Sequence, residues 1–377
     1  MSRTTQAKPP VPAVSRTGAR APGACVLGEL ALIEAIRGRA QCLADRSRGV
    51  RLGIGDDCAL LRIRAGEQVA VTTDLSLEGR HFRLDWHPPE AVGHRALARG
   101  LSDLAAMGAR PVAAFLSLAV PPELTRGVRS RRGAGRVSAR QAGFWEQNSW
   151  VARFYNGLLG LAEAHQTPLA GGDLAESTTA LADIVLVGAV GRGRALMRST
   201  AQAGDQIWVT GRLGGAALGL AELAASSGQP RTDPQRETAL GPHLYPEPRL
   251  AQGQLLARRR LATAAMDLSD GLSLDLARLA GASGLAAELD AAQVPCFPGA
   301  TLEQALHGGE DYELLFTARP GARLPRTIEG VPLTHIGRMV APGRSRPRVA
   351  LVSEGRRRPL DAAGWEHFGG AAPGIGR

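Results

Sequence analysis

Carboxylates recur along this chain in settings of glycine, serine and threonine. GIGDD carries Asp56 and Asp57, VTTD carries Asp74, LSD carries Asp103, AGGD carries Asp173, MDLSDG carries Asp267 and Asp270, and HGGED carries Glu310 and Asp311. Taken singly, each motif has a plain explanation, because Asp and Gly are ordinary residues of turns and helix caps. Recurrence at strand ends points further, since side chains there can converge on one cleft, where crowded carboxylates repel one another unless a cation is present. Magnesium suits such a set: it takes oxygen ligands, binds one or two carboxylates at a time, and completes its shell with water and phosphate oxygens. Aspartates on separate segments could hold several magnesium ions around a polyphosphate, and the neighbouring glycines would let the backbone approach it closely. On this reading Asp56 and Asp57 are exposed on a turn after a strand so that at least one ligates metal.

Composition narrows the chemistry. The single lysine, Lys8, lies in the N-terminal segment. A Schiff base or the phosphate-gripping lysine of a GxxxxGK[ST] loop is therefore excluded, and nucleotide chemistry must rely on metal ions and arginine. The formal net charge is +10, which invites a nucleic-acid reading. Against it, the arginines are spread along the chain, and only Thr125 to Arg140 concentrates them, with six arginines and no acid. This stretch reads as a solvated surface insertion, with RNA or membrane contact as the alternative. The four cysteines form no CxxC pair, so neither a zinc site nor a disulfide framework is indicated and a reducing cytoplasm fits. No run of about 18 uncharged apolar residues is present, so no membrane span is expected. Residues 1–25 are basic and rich in Pro, Ala and Thr, without the apolar centre of a secretion signal, and read as a disordered tail.

The elements that must position these carboxylates are short Val, Ile, Leu and Thr runs alternating with helix-length stretches, as in mixed α/β folds. Strands are expected over Gln68 to Asp74, Val112 to Pro121, Ala182 to Gly191, Gln206 to Gly211, Ala265 to Asp270, Ala286 to Asp290, Tyr312 to Ala318 and Pro332 to Met339. PPEAVGHRALARGLSDLAAMG opens on helix-starting prolines and closes on Gly108. Helical spacing also marks Trp150 to His165, Leu213 to Ala225 and Leu272 to Ala280. A length of 377 residues accommodates two domains, and the repeated Leu-Ser-Asp at 101–103 and 268–270 hints at related halves. The boundary is expected near Gly193 to Gly204.

In order, GIGDDCAL, VTTDLSLEGRHF, LSDLAAMGARP, LAGGDL, GRALMRS, VTGRLG, MDLSDGLSLDL, GGEDYELLF, IGRM and GWEHF closely resemble the motifs of the bacterial thiamine-monophosphate kinase family. The resemblance runs from about Gly28 to Phe368, leaving out the tail and most of the Arg-rich insertion. It implies an α/β (α+β) fold of the two-domain, aminoimidazole ribonucleotide synthetase-like kind, with N-terminal domains of two subunits pairing into a β-barrel across a homodimer. The implied division is a tail over 1–25, an ATP- and magnesium-binding α/β domain over 26–193 with the Arg-rich insertion at about 125–149, and a C-terminal α/β domain over 194–377 that completes the substrate site. The implied reaction moves the γ-phosphoryl group of ATP to thiamine monophosphate, giving thiamine diphosphate. By position, the resemblance implies several Mg2+ ions held by Asp57, Thr72, Thr73, Asp74, Asp103, Asp173, Asp267 and Asp270. It implies ATP contacts at Gly172, Asp173, Arg198 and Ser269, and substrate contacts at His81, Glu310 and Trp365. No dedicated catalytic base is expected, because a phosphate oxygen is already ionised at neutral pH. Asp56 would orient its neighbour or bind metal through water. The alternative is another ATP-using relative. A selenophosphate synthetase is disfavoured by the lack of a reactive Cys with a partner Lys near the N-terminus, and the carbamoyl-dehydrating hydrogenase maturation factor by the ending GIGR in place of a cysteine tail. A nucleic-acid-binding protein using the Arg-rich loop is the remaining reading.

Overall fold

The computed structural model describes residues 29–126, 145, 148–226, 240–343 and 348–365. The tail and most of the Arg-rich insertion lie outside the described residues. Two sheets organise the chain. Helix α1 (Glu29–Arg46) leads into a small antiparallel pair, β1 (Val50–Leu52) and β2 (Leu60–Leu61). The first main sheet has the order β3-β6-β4-β5, built from β3 (Glu67–Leu77), β4 (Arg110–Val120), β5 (Leu169–Glu176) and β6 (Leu181–Gly191). All its pairings are antiparallel except β4 with β5. Helix α2 (Pro89–Ala106) covers one face, and α3 (Trp150–Ala164) packs against α2.

These helices form where the apolar spacing asks for them. Helix α2 starts on Pro88 and Pro89, and Leu97, Leu101 and Leu104 are fully buried beneath it. Helix α3 is capped by the Ser149 hydroxyl, which accepts from the Ala152 amide at 3.2 Å. The two pack with glycines at their crossing: a Cβ at Gly157 would lie 1.9 Å from the Glu90 carbonyl oxygen, and one at Gly93 would lie 1.9 Å from that of Phe154. Only a residue without a side chain permits that approach.

The second sheet runs β14-β13-β9-β12-β7-β10-β8. Its strands are β7 (Gln206–Thr210), β8 (Ala264–Asp267), β9 (Ala286–Asp290), β10 (Leu314–Ala318), β12 (Val331–Val340), β13 (Val349–Ser353) and β14 (Arg356–Pro359), with β11 (Thr327–Ile328) pairing β12. Helices α4 (Gly215–Ala225), α5 (Leu250–Arg259), α6 (Leu272–Ala282) and α7 (Leu302–His307) accompany it. A core around Ile207, Leu276, Leu289, Leu315 and Met339 lies under this sheet. Helix α5 crosses back to α2, where a Cβ at Gly253 would lie 1.9 Å from the Ala105 carbonyl oxygen.

The expected placement of the aspartates at strand ends needs correction. Only Asp267 ends a strand. Asp74 lies inside β3, Asp173 inside β5, and Asp103 inside α2. Asp56 and Asp57 occupy the turn between β1 and β2, as expected.

Candidate active site

Helix α2 supplies the polar spine of the site. Arg95, Arg99, Ser102 and Asp103 recur at helical spacing and share one face. The Thr72 hydroxyl on β3 donates to Asp103 Oδ2. Ser102 Oγ donates to Asp267 Oδ2 at 2.8 Å, joining α2 to the end of β8. Arg99 Nε lies 3.6 Å from Asp74 Oδ1. Helix and strand thereby bring Asp74, Asp103 and Asp267 to one place from segments far apart in sequence.

A cleft of about 720 Å³ opens there, lined by Asp74, His81, Asp103, Asp267, Ser269, Asp270, Glu310 and Trp365 among others. Its carboxylates are uneasy as a group. Burial, together with Asp103 and Asp183 and against the pull of Arg99, pushes Asp74 up to about 6. Burial and the Asp103 charge push Asp267 up to about 7. Asp103 is raised as well, chiefly by burial. Among the described residues no three His, Cys, Asp or Glu groups are assembled as a metal cage. Oxygen donors supplied one or two at a time, in a place where negative charge is costly, nevertheless fit magnesium, which expects water and phosphate to complete its shell.

The loops around the cleft are braced by groups outside the predicted set. The Asp275 carboxylate, in the first turn of α6, accepts from the amides of Ser269 at 3.1 Å and Asp270 at 3.0 Å. Arg278 pairs with both Asp270 and Asp275. The Glu310 amide donates to the Ser269 carbonyl at 2.8 Å, and a Cβ at Gly309 would lie 2.6 Å from that same oxygen. Asp311 turns away from the cleft to accept from the amides of Gly214 at 2.7 Å and Ala216 at 3.0 Å, at the start of α4. The Trp365 amide donates to the Asp270 carbonyl at 3.1 Å, which folds the C-terminal segment over the cleft.

Arg95 ties several of these pieces together. Its guanidinium binds both carboxylate oxygens of Glu310, at 2.7 and 2.8 Å. It also donates to the His81 carbonyl at 3.3 Å and to the His243 carbonyl. Burial opposes ionisation of Glu310, yet Arg95, His243 and Arg99 hold its carboxyl well below the usual range. Behind them, His243 Nε2 and His87 Nε2 lie 3.0 Å apart, and His87 Nδ1 lies 3.2 Å from the Arg83 carbonyl. With Arg95 facing His243 Nδ1, the two Nε2 atoms share one hydrogen bond, and His87 Nδ1 lies against both the Arg83 amide, at 3.1 Å, and its carbonyl. Arg95 and Arg99, with Arg80, Trp86 and His243, which like Arg99 also line the cleft, were not singled out from sequence. The signal for the first two was the four-residue interval from Arg95 to Arg99 to Asp103, hidden among many arginines.

Not every predicted residue joins the cleft. Asp57, Gly172 and Asp173 do not line it, nor do Thr72, Thr73 and Arg198. Thr72 still touches it through Asp103, and the Arg198 charge acts on Asp103 and Asp267. Strand alternation separates the others. Asp74 shares its cross-strand row with Ile184, Leu116 and Gly172, whereas Asp173 shares the next row with Ser117, Asp183 and the exposed Leu75. Neighbouring rows face opposite sides, so Thr73 and Asp173 look outward from the sheet. Gly172 is three strand spacings from Asp74, or about 14 Å. At its φ of 150°, a Cβ would lie 1.9 Å from the Leu116 carbonyl oxygen. Asp57 is exposed, its amide donating to Asp56 Oδ1 at 2.9 Å.

A mixed α/β fold with two sheets and a carboxylate- and arginine-lined cleft at their junction matches a known class. The N-terminal domain of the AIR synthase related proteins matches residues 55–193, and their C-terminal domain matches residues 202–350. The thiamine-monophosphate kinase of Escherichia coli strain K12 is 37% identical over 331 residues, spanning 85% of this chain and 92% of its own. A thiamine-monophosphate kinase from Stenotrophomonas maltophilia K279a superposes with a TM-score of 0.69 at 34% identity, covering 88% of this chain and 98% of that one. AaThiL complexed with AMPPCP and TMP superposes with a TM-score of 0.66 at 30% identity, covering 90% and 97%. The chain belongs to the thiamine-monophosphate kinase family of AIR synthase related proteins.

Proposed function

We propose that this chain transfers the γ-phosphoryl group of ATP to the phosphate of thiamine monophosphate, giving thiamine diphosphate and ADP. The observation that carries the reading is the convergence of Asp74, Asp103, Asp267 and Asp270 with His81, Glu310 and Trp365 on one cleft, in a chain 37% identical to thiamine-monophosphate kinases. A substrate phosphate oxygen forms the new O–P bond as the bond from the γ-phosphorus to ADP breaks. That nucleophile is already ionised, so no residue need remove a proton. The obstacle is repulsion between two anions, which positioning and charge neutralisation overcome. Asp74, Asp103, Asp267 and Asp270 would hold Mg2+, with Thr72 and the backbone of Thr73 assisting, and bound Mg2+ supplies charge neutralisation at the phosphates. Arg99 offers a guanidinium beside these carboxylates. His81 and Trp365 would contact the thiamine portion, Trp365 by presenting its ring face to the thiazolium cation. Glu310 would act on that cation at a distance, because Arg95 already occupies both its oxygens.

Ser269, which lines the cleft, would contact ATP together with Gly172, Asp173 and Arg198, and Asp57 and Asp173 would ligate metal, Asp173 from the outward side of the first sheet. That placement goes with a homodimer in which two such sheets pair into a barrel. Its support is the apolar surface left on β3 and its neighbours, with Val69, Val71 and Leu75 exposed by 54%, 62% and 45%. In this arrangement residues 26–193 form the ATP- and magnesium-binding domain and 194–377 complete the substrate site. A cytoplasmic setting agrees with the free thiols of Cys42, Cys58 and Cys296 and with the lack, among the described residues, of a helix long and apolar enough to cross a membrane. The direct test is incubation of purified protein with ATP, magnesium and thiamine monophosphate, followed by chromatography. Thiamine diphosphate equal to the ADP formed is expected, and ADP without thiamine diphosphate overturns the proposal.

A further inference from the structure

A second cavity, of about 1030 Å³, shares no lining residue with the cleft. Three segments wall it. The linker between the two sheets contributes Arg194, Ser199 and Thr200, the end of α5 contributes Arg260, and the turn after β10 contributes Arg319 and Arg323. No carboxylate lines it. Elsewhere in the molecule buried and half-buried arginines are matched with acids: Arg95 with Glu310, Arg153 with Glu90, and Arg249 with Glu313. Among the described residues the guanidiniums of Arg194, which is half-buried, and of Arg260, Arg319 and Arg323, which are exposed, have no ion pair or hydrogen bond. Four like charges around one hollow repel one another, and an anion entering it relieves that repulsion. The planar fork of a guanidinium matches phosphate oxygens two at a time, and several forks around one space suit a chain of phosphates better than a single carboxylate.

The walls are held in place independently of any ligand. Thr200 Oγ1 donates to the Thr263 carbonyl at 2.6 Å, and the Ala201 amide donates to Ser283 Oγ at 3.2 Å. Ser283 Oγ in turn donates to the Arg198 carbonyl at 2.8 Å. The linker that borders this cavity therefore also carries Arg198, whose charge acts on Asp103 and Asp267 in the cleft.

We propose that the cavity walled by Arg194, Arg260, Arg319 and Arg323 binds a small polyphosphate-bearing anion, separately from the catalytic cleft. The site goes beyond the kinase reading and does not depend on it. The test is calorimetric titration of the full chain with sodium tripolyphosphate in EDTA, where the cleft carboxylates lack a cation and disfavour anions. Saturable binding is expected, weakening as salt rises. The double variant Arg319→Ser/Arg323→Ser should bind at least about tenfold more weakly, while keeping a wild-type circular dichroism spectrum and wild-type phosphotransfer. Arg99→Gln, in the cleft, should leave tripolyphosphate binding unchanged. ATP as a second titrant separates the sources: equal affinity assigns recognition to the phosphate chain alone, and tighter binding of ATP assigns it to a nucleotide. No binding below about 1 mM, undiminished binding by the double variant, or loss of binding in Arg99→Gln overturns the proposal. So does a short single-stranded RNA that binds through the same arginines more tightly than tripolyphosphate.

Discussion

Arg95 shows how much of a site rests on a residue that need not touch substrate. With 4% of its side chain exposed, it satisfies Glu310 and the backbone of His81 and His243 at once. Removing it leaves Glu310 without its main counter-charge and takes a buried donor away from two carbonyls. Arg95→Ala should therefore destabilise the fold by about 2–4 kcal/mol, somewhat under the full value for a buried pair because Glu310 faces the cleft. Urea unfolding measures this, and a loss below about 1 kcal/mol would show that the network does little for stability. The carboxylates themselves were legible in sequence because Asp beside Gly, Ser and Thr is a conspicuous pattern. Arg95 and Arg99 were not, because an arginine that pairs across space has no local signature. His243 was invisible for the same reason: its partners, His87 and Arg95, lie far away in sequence.

At the scale of elements, the lesson of β3 is alternation. VTTD reads as three adjacent ligands, but a strand sends Thr72 and Asp74 to one face and Thr73 to the other. The strands rich in branched residues were legible, β9 even to its ends. Strand β5 was not, because LAGGDLAE carries two glycines, which sheets ordinarily avoid. It forms because Gly172 permits an approach to β4 that a side chain would block. The loop before α2 and the segment holding His243 meet in the imidazole pair, and this pair makes stability depend on pH. Burial first, then the Arg95 charge, lower His87 from 6.5 to about 4, and His243 is lowered as well. The unfolded chain takes up these protons more readily than the folded one. Stability is thus fully present above the unfolded value of 6.5 and declines as pH falls toward 4. For His87 alone the loss amounts to at most about 3 kcal/mol. The urea midpoint should fall between about pH 7 and pH 5, and His87→Leu should flatten that fall. An equal pH dependence in the variant would assign it to other groups.

For the whole molecule, the two-domain architecture followed from length and from the alternation of strand and helix patterns. The packing of one sheet's helix against the other sheet's carboxylate did not, since Ser102 and Asp267 have nothing in common until the chain folds. The proposed dimer belongs to this scale too. If two first sheets pair through β3, light scattering should give twice the chain mass, and Val71→Glu, at a residue 62% exposed, should yield monomers. A monomeric wild type contradicts the pairing. The central claim is that phosphoryl transfer crosses the cleft in one step under the control of its carboxylates. It is tested most directly with ATP labelled at the γ-phosphate, in the wild type and in Asp103→Asn. The label should appear in thiamine diphosphate and not in orthophosphate, and the variant should keep its fold while transferring at least on the order of a hundredfold more slowly. Label in orthophosphate alone, or an Asp103→Asn variant as fast as wild type, would contradict the account.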